Sequence, residues 1–74
     1  MSKLPVISGR DCVRALARLG FQKRRQTGSH IIMRRGDPFA QCVVPDHDVL
    51  DRGTLRAILR QADIGLDQLV DALK

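Results

Sequence analysis

Three short strand-like runs in the middle of the chain place the strongest limit on its fold. The expected strands cover about residues 21–26, 29–34 and 39–44. Thr27-Gly28 marks a tight turn between the first two runs, and residues 35–38 mark a second turn. Pro45 ends the third run, because proline cannot donate a hydrogen bond to a central ladder. Links this short join antiparallel neighbours, so we expect an antiparallel meander.

A helix is indicated before the strands. Ser8 is a candidate N-cap, and Asp11 three residues later gives an acidic variant of the capping box. Gly20 stands where a helix commonly ends, at the position after the C-cap. The residues at helical spacing that we expect to form the buried stripe are Val13, Leu16 and Leu19.

Two further helices are indicated after the strands. The second is expected over about residues 54–62, with one apolar face formed by Leu55, Ile58, Leu59 and Ala62. Gly65 is expected to break it, and a short third helix is expected over about residues 67–73. The order is therefore α-β-β-β-α with a short extra C-terminal helix. Helices on one sheet face leave the other open, which predicts an α+β two-layer sandwich in a single domain over residues 1–74.

Positive charge is concentrated in the first half of the chain. Residues 1–35 carry nine Lys or Arg and one acid, a net charge of +8, whereas residues 36–74 carry four Lys or Arg and seven acids, a net charge of −3. Such a basic half indicates an anionic polymer as partner, although a solvated surface has the same composition. Two helical arginine stripes are also candidates for tracking a phosphate backbone. They are Arg10, Arg14 and Arg18, and, with less support, Arg52, Arg56 and Arg60.

Composition also excludes several kinds of protein. No stretch approaches the ~20 apolar residues of a membrane span, and the opening seven residues lack the apolar core of a signal peptide. A cytoplasmic location is therefore expected. Cys12 and Cys42 form no CxxC motif, and their spacing to the two histidines matches no common zinc pattern. We predict two buried free thiols and no metal or cofactor.

His30 is the leading candidate for chemistry. Strand alternation places Ile31 and Met33 on one face of the second strand and His30 on the other. The cations expected around it are Lys23, Arg24, Arg25 and Arg34. Nearby cations favour the neutral imidazole that a general base needs, and they can hold a phosphate and stabilise a phosphorane. By spacing alone, a lone strand histidine among arginines is more often an ordinary surface residue.

Other candidate groups carry weaker signals. His47 is a second candidate acid or base, but in Asp46-His47-Asp48 a loop hydrogen bond or a contact with the carboxylates accounts for it equally well. No nucleophile elbow, P-loop or dinucleotide fingerprint is present, and the acids near residue 48 do not follow the calcium-loop pattern. With only Phe21 and Phe39 as aromatics, base stacking is not expected, and shape and backbone recognition fits better.

Four segments, taken in order, carry a family resemblance. They are Ser8-Gly9-Arg10-Asp11 before a helix ending Leu19-Gly20-Phe21, then Arg25-Gln26-Thr27-Gly28-Ser29-His30, then Val44-Pro45-Asp46-His47, and finally residues 53–62. Together they resemble the HicA (YcfA-like) mRNA interferase toxins of toxin–antitoxin systems. The resemblance covers about residues 5–73. Many members have a second histidine directly after the first, where this chain has Ile31.

The resemblance implies a fold like a double-stranded-RNA-binding domain, in agreement with the α-β-β-β-α order. It also implies a ribonuclease that cuts mRNA and so inhibits translation, and a HicB antitoxin that binds and masks it. The family's catalytic histidine corresponds to His30, and Gly28 would permit the turn that presents it. Gly28 and Ser29 are also expected to contact the RNA or its phosphates, together with the cations named above. No DNA contact is expected from this chain alone.

Three functions therefore remain open at this point. The leading one is a metal-independent endoribonuclease that uses 2′-hydroxyl attack and leaves a cyclic phosphate. His30 would be its base or acid, and Lys23, Arg25 and Arg34 would position the phosphate. The second is a non-catalytic RNA-binding module with the same charge distribution. The third is a partner-binding subunit with vestigial activity.

Overall fold

The computed structural model describes residues 3–74 as one helix, three strands and two further helices. The elements are α1 (Gly9–Arg18), β1 (Gln22–Thr27), β2 (His30–Gly36), β3 (Phe39–Pro45), α2 (Arg52–Ala62) and α3 (Leu66–Ala72). The expected α+β class and the α-β-β-β-α order with an extra C-terminal helix are confirmed. Met1 and Ser2, which belong to the opening segment considered above as a signal peptide, lie outside the described residues.

The first helix begins and ends where its sequence signals stand. The Ser8 hydroxyl accepts a hydrogen bond from Asp11 N at 3.0 Å, and the Asp11 carboxylate accepts one from Ser8 N at 3.4 Å. This reciprocal pair satisfies two N–H groups that the first helical turn leaves free. At the other end, Gly20 has a φ of +96°, a value that glycine adopts without the steric cost of a Cβ atom. The chain can therefore reverse directly from α1 into β1.

The three strands form the expected antiparallel meander in the order β1-β2-β3. Gly28, with a φ of +59°, permits the two-residue turn between β1 and β2. The second turn is shorter than predicted, because Arg35 and Gly36 still pair with Ala40 and Phe39 in the ladder. Only residues 37 and 38 connect β2 to β3.

One face of the sheet is buried under the helices. Its inward side chains on β2 and β3 are Ile31, Met33, Ala40, Cys42 and Val44. From α1 the core receives Leu16, as predicted, together with Cys12 and Ala15, whereas Val13 and Leu19 are only partly buried at its margin. Both thiols are free and buried, which confirms the prediction. Burial raises the pKa of the Cys12 thiol to about 12 and that of the Cys42 thiol to about 11.

The C-terminal helices differ from prediction at their junction. Gly65 does not end α2. That helix ends at Ala62, because Asp63 takes the left-handed conformation with a φ of +55°. Gly65 instead precedes α3, and its N–H donates to the Gln68 side chain at 2.8 Å. None of the helices formed by residues 3–74 has both the length and the apolar character that crossing a membrane requires.

Gly9 brings the start of α1 into contact with the end of β3. Its N–H donates to the His47 carbonyl at 2.9 Å. A Cβ atom placed on Gly9 would lie 2.0 Å from the Pro45 carbonyl oxygen. The obstacle is backbone, which cannot move aside as a flexible side chain would. The close approach of helix and strand therefore requires glycine at this position.

We predict that Gly9→Ala destabilises the protein by about 1–3 kcal/mol, the usual cost of forcing extra volume into a closely packed site. Chemical denaturation monitored by circular dichroism measures the change in the free energy of unfolding. Gly36→Ala is the matched control, because a Cβ at Gly36 meets no atom within 4 Å. Equal stability of the two variants would show that the contact with Pro45 does not constrain the fold.

Candidate functional site

His30 lies on the open face of the sheet, at the start of β2. Its register partners are Thr27 on β1 and Pro45 on β3. The imidazole is exposed, whereas Ile31 and Met33 point into the core, so the strand alternates as the sequence indicates. The side chain is therefore available for chemistry and contributes nothing to the hydrophobic core.

Two arginines of β1 reach the same face as His30. Arg25 pairs with Ile32, which makes it a diagonal neighbour of His30 across the strand pair. A β-bulge lies between Lys23 and Arg25, and Arg24 is the extra residue. A shallow depression of about 360 Å³ marks this part of the open face. It is lined by Arg24, Arg25, Ile32, Arg34 and Gln41.

Lys23 lies on the opposite side of the sheet from His30. Simple alternation would put Lys23 and Arg25 on one face, but the bulge turns Lys23 toward the helices, opposite Met33. There its ammonium group donates to the Gln26 side-chain oxygen at 3.0 Å. The expectation that Lys23 holds a phosphate beside His30 is therefore corrected. Nothing in the sequence signals the bulge.

Positive charge on the open face is not neutralised by acids of the sheet. The sequences of β1, β2 and β3 contain no Asp or Glu. Arg34 instead donates from Nε to the Gln41 side-chain oxygen at 2.8 Å, and its guanidinium lies 5.9 Å from the centre of the Phe39 ring. These neutral contacts orient Arg34 and leave its charge available to an anionic ligand.

The arginine stripe of α1 is engaged within the protein. Arg10 pairs with Asp46 at 3.2 Å, and Arg14 pairs with Asp11. Arg18 donates to the carbonyl oxygens of Ala72 and Lys74, at 2.8 and 2.6 Å, and so ties α1 to the end of α3. These contacts show a structural use for the stripe. The second stripe, Arg52, Arg56 and Arg60, is exposed on α2 in the helical layer.

The turn that leads into His30 is held by two residues that sequence reasoning did not single out. The Gln26 side-chain amide donates to the Gly28 carbonyl at 3.0 Å and to the Asp46 carboxylate at 3.5 Å. Asp46 N donates to the Ser29 carbonyl at 2.6 Å. The Gly28 carbonyl is therefore held by a side chain of β1, and the Ser29 carbonyl by the backbone of the β3–α2 connection. The contact between Gln26 and Asp46 joins residues far apart in the chain, so no local sequence signal reveals it.

The Arg10 guanidinium also sets the ionisation of Asp46. Its hydrogen bond to the carboxylate is the main cause that lowers the pKa of Asp46, and the Gln26 amide and the Lys23 charge act in the same direction. Asp46 is thus a charged link between α1, β1 and the turn before His30.

His47 lies in the loop before α2 and is not paired with His30. A backbone hydrogen bond from Thr54 is the main cause that lowers the pKa of Asp51, and the nearby charge of His47 contributes. Within residues 3–74, no hydrogen bond joins the two imidazoles, and no group of three or more His, Cys, Asp or Glu side chains is arranged to hold a metal ion.

A comparison with known protein families finds a match that covers most of the chain. A family model described as the HicA toxin of bacterial toxin–antitoxin systems matches residues 9–64. The match covers more than half of the chain, including α1, the whole sheet and α2. The chain belongs to the HicA toxin family. A comparison with curated proteins finds no match.

Membership of the HicA family makes the chain a toxin component and implies an antitoxin partner. The match includes His30, the turn before it and the arginines of the open face.

We predict that Asp46→Asn lowers the melting temperature near neutral pH. Because the pKa of Asp46 is lowered on folding, its carboxylate stabilises the protein above the unfolded pKa of about 3.9, and this contribution is lost as pH falls through the folded pKa. The difference in melting temperature from the unmodified protein should be constant above about pH 5 and shrink below about pH 4.

Asp48→Asn is the matched control, since Asp48 is an exposed acid in the same loop. It should leave the melting temperature near neutral pH unchanged, because Asp48 forms no ion pair within residues 3–74. A difference for Asp46→Asn that persists undiminished at low pH would show that the ion pair with Arg10 does not stabilise the fold.

Proposed function

We propose that this HicA-family toxin is an endoribonuclease that cuts mRNA without a metal ion and so inhibits translation in the cytoplasm. The observation that carries the proposal is the position of His30. Its imidazole is exposed on a sheet face without acids, follows a turn held by Gln26 and Asp46, and has Arg25 as its diagonal neighbour.

RNA supplies the nucleophile for this reaction. The 2′-hydroxyl oxygen attacks the adjacent phosphorus, a new P–O2′ bond forms, and the P–O5′ bond breaks. The products are a 2′,3′-cyclic phosphate and a 5′-hydroxyl. His30 serves as the base that removes the 2′-hydroxyl proton or as the acid that protonates the leaving oxygen. An imidazole is suited to either role because it changes charge near neutral pH.

The arginines of the open face stabilise the charge that develops on phosphorus. Arg25 is the nearest of them to His30 in the register, and Arg24 and Arg34 line the depression beyond it. Guanidinium groups bind phosphate through paired N–H donors, and such donors strengthen as negative charge accumulates on the phosphorane. Ser29 and Gly28 form the turn that presents the imidazole. His47 remains a second candidate acid or base, on the sequence alone.

We predict that His30→Ala removes RNA cleavage without unfolding the protein. The residue is exposed, so stability should change by no more than ~0.5 kcal/mol. The cleavage rate, measured in the presence of EDTA, should fall about 10²–10⁴-fold, the usual contribution of one acid–base side chain. RNA binding should persist, since the phosphate contacts belong to Arg24, Arg25 and Arg34.

His47→Ala serves as the matched control for the other histidine. It should retain activity if His30 works alone, and a comparable loss would assign the second proton transfer to His47. A folded His30→Ala protein that cuts RNA at the unmodified rate would eliminate His30 as the catalyst. RNA binding by the unmodified protein with no cleavage would favour the non-catalytic module.

We further predict that a HicB-like antitoxin masks the open face of the sheet. Reversing two charges there, in Arg24→Glu/Arg25→Glu, should weaken the complex, because it places acids where the partner is expected to present them. Arg56→Glu/Arg60→Glu is the charge-matched control on α2 and should leave the complex intact. Co-purification of both variants with the neighbouring gene product measures the difference. Equal retention of the antitoxin by both variants would place its interface elsewhere.

A further inference from the structure

Phe39 is exposed at the far end of the open face from His30. Phe39 is the first residue of β3 and pairs with Gly36, the last residue of β2. His30 is the first residue of β2, so the two side chains lie at opposite ends of the sheet. Phe39 is 68% exposed. The other aromatic residue, Phe21, is buried in the core with 2% exposure. The Phe39 ring is therefore open to a ligand at the margin of a basic surface.

Arg34 gives the exposed ring a fixed cationic neighbour. The guanidinium carbon lies 5.9 Å from the ring centre of Phe39, and the hydrogen bond from Arg34 Nε to Gln41 holds the group in place. Both the ring and the guanidinium are flat surfaces on which nucleic-acid bases stack. Together they form an oriented platform next to the arginine-lined depression.

The positions of His30 and Phe39 suit two points on one RNA strand. Gly36 lies six residue steps beyond His30 along β2, a distance of about 20 Å at ~3.3 Å per step. A helically stacked strand would cross it in about six nucleotides at ~3.4 Å each, and an extended strand in fewer. The depression that Arg24 and Arg25 line lies between the two points. The phosphates of an RNA strand that runs from His30 to Phe39 would therefore lie next to arginines.

We propose that Phe39 and Arg34 form a base-binding subsite for single-stranded RNA, several nucleotides from the scissile phosphate. The proposal rests on the ribonuclease function proposed above. This proposal replaces the expectation that base stacking plays no part. That expectation rested on the small number of aromatic residues, and the sequence does not show that Phe39 is exposed. We assign this surface to an RNA strand, since the ring lies next to Arg34 and the sheet supplies no acids.

The test measures binding to an oligoadenylate of about ten nucleotides that carries 2′-O-methyl groups and one 2-aminopurine. The methyl groups block the nucleophile, so binding is separated from cleavage. Phe39→Ala should weaken binding about 5- to 100-fold and reduce the fluorescence quenching that stacking causes. Phe39→Leu should lose as much, because it keeps apolar area without a flat ring, whereas Phe39→Trp should retain binding. Val49→Ala is the control at an exposed apolar residue outside the sheet.

The outcomes separate this inference from the function on which it rests. If the unmodified protein does not bind the probe, the subsite is overturned, and the cleavage assay on unmethylated RNA decides the ribonuclease function separately. If it binds and Phe39→Ala binds equally, only the subsite is overturned. Full binding by Phe39→Leu also overturns it, and a weakened antitoxin complex in that variant would assign Phe39 to a protein interface. On cleavable RNA, Phe39→Ala should raise KM by the same factor and leave kcat nearly unchanged.

Discussion

Helices cover only one face of the three-stranded sheet, and the positions of His30, Arg34 and Phe39 on the open face follow from that. Alternate side chains of β2 and β3 fill the core, so the residues between them are released from any packing role. In this chain the released positions hold His30, Arg34 and Phe39. A small domain has little core to spare, and a face that does no packing can carry exposed charge at no cost to that core.

The edges of so small a sheet also need protection from pairing with other chains. At β3, the Gln61 side chain of α2 accepts a hydrogen bond from Val43 N at 3.1 Å and occupies part of the free edge. At β1, the bulge and the run of cations from Lys23 to Arg25 interrupt a regular edge. The cations that we assign to RNA therefore also oppose edge pairing, so one sequence feature serves both binding and a defined fold.

The sequence predicted those features that depend on local signals. The capping residues predicted α1, and the turn glycine at position 28 predicted the first link of the meander. The alternation of β2 predicted the face on which His30 lies. The bulge at Arg24 has no residue signature, so the sequence did not show that Lys23 lies away from His30. Gly65 was expected to break α2, whereas Asp63 ends the helix with a positive φ, which Asp adopts more readily than most residues other than glycine. The support of the His30 turn by Gln26 and Asp46, and the exposure of Phe39, depend on contacts that form only when distant segments meet.

Ile31 stands where many family members have a second histidine, and its burial shows what this difference means for the structure. Its side chain is 4% exposed and pairs in register with Gln26 and Val44 on the helix-facing side. A histidine at position 31, as in the relatives with two adjacent histidines, would point to the groove between α1 and β1, away from His30. Two consecutive strand residues cannot act together on one phosphate at the open face. The departure at Ile31 therefore strengthens the core and leaves the proposed catalytic surface unchanged.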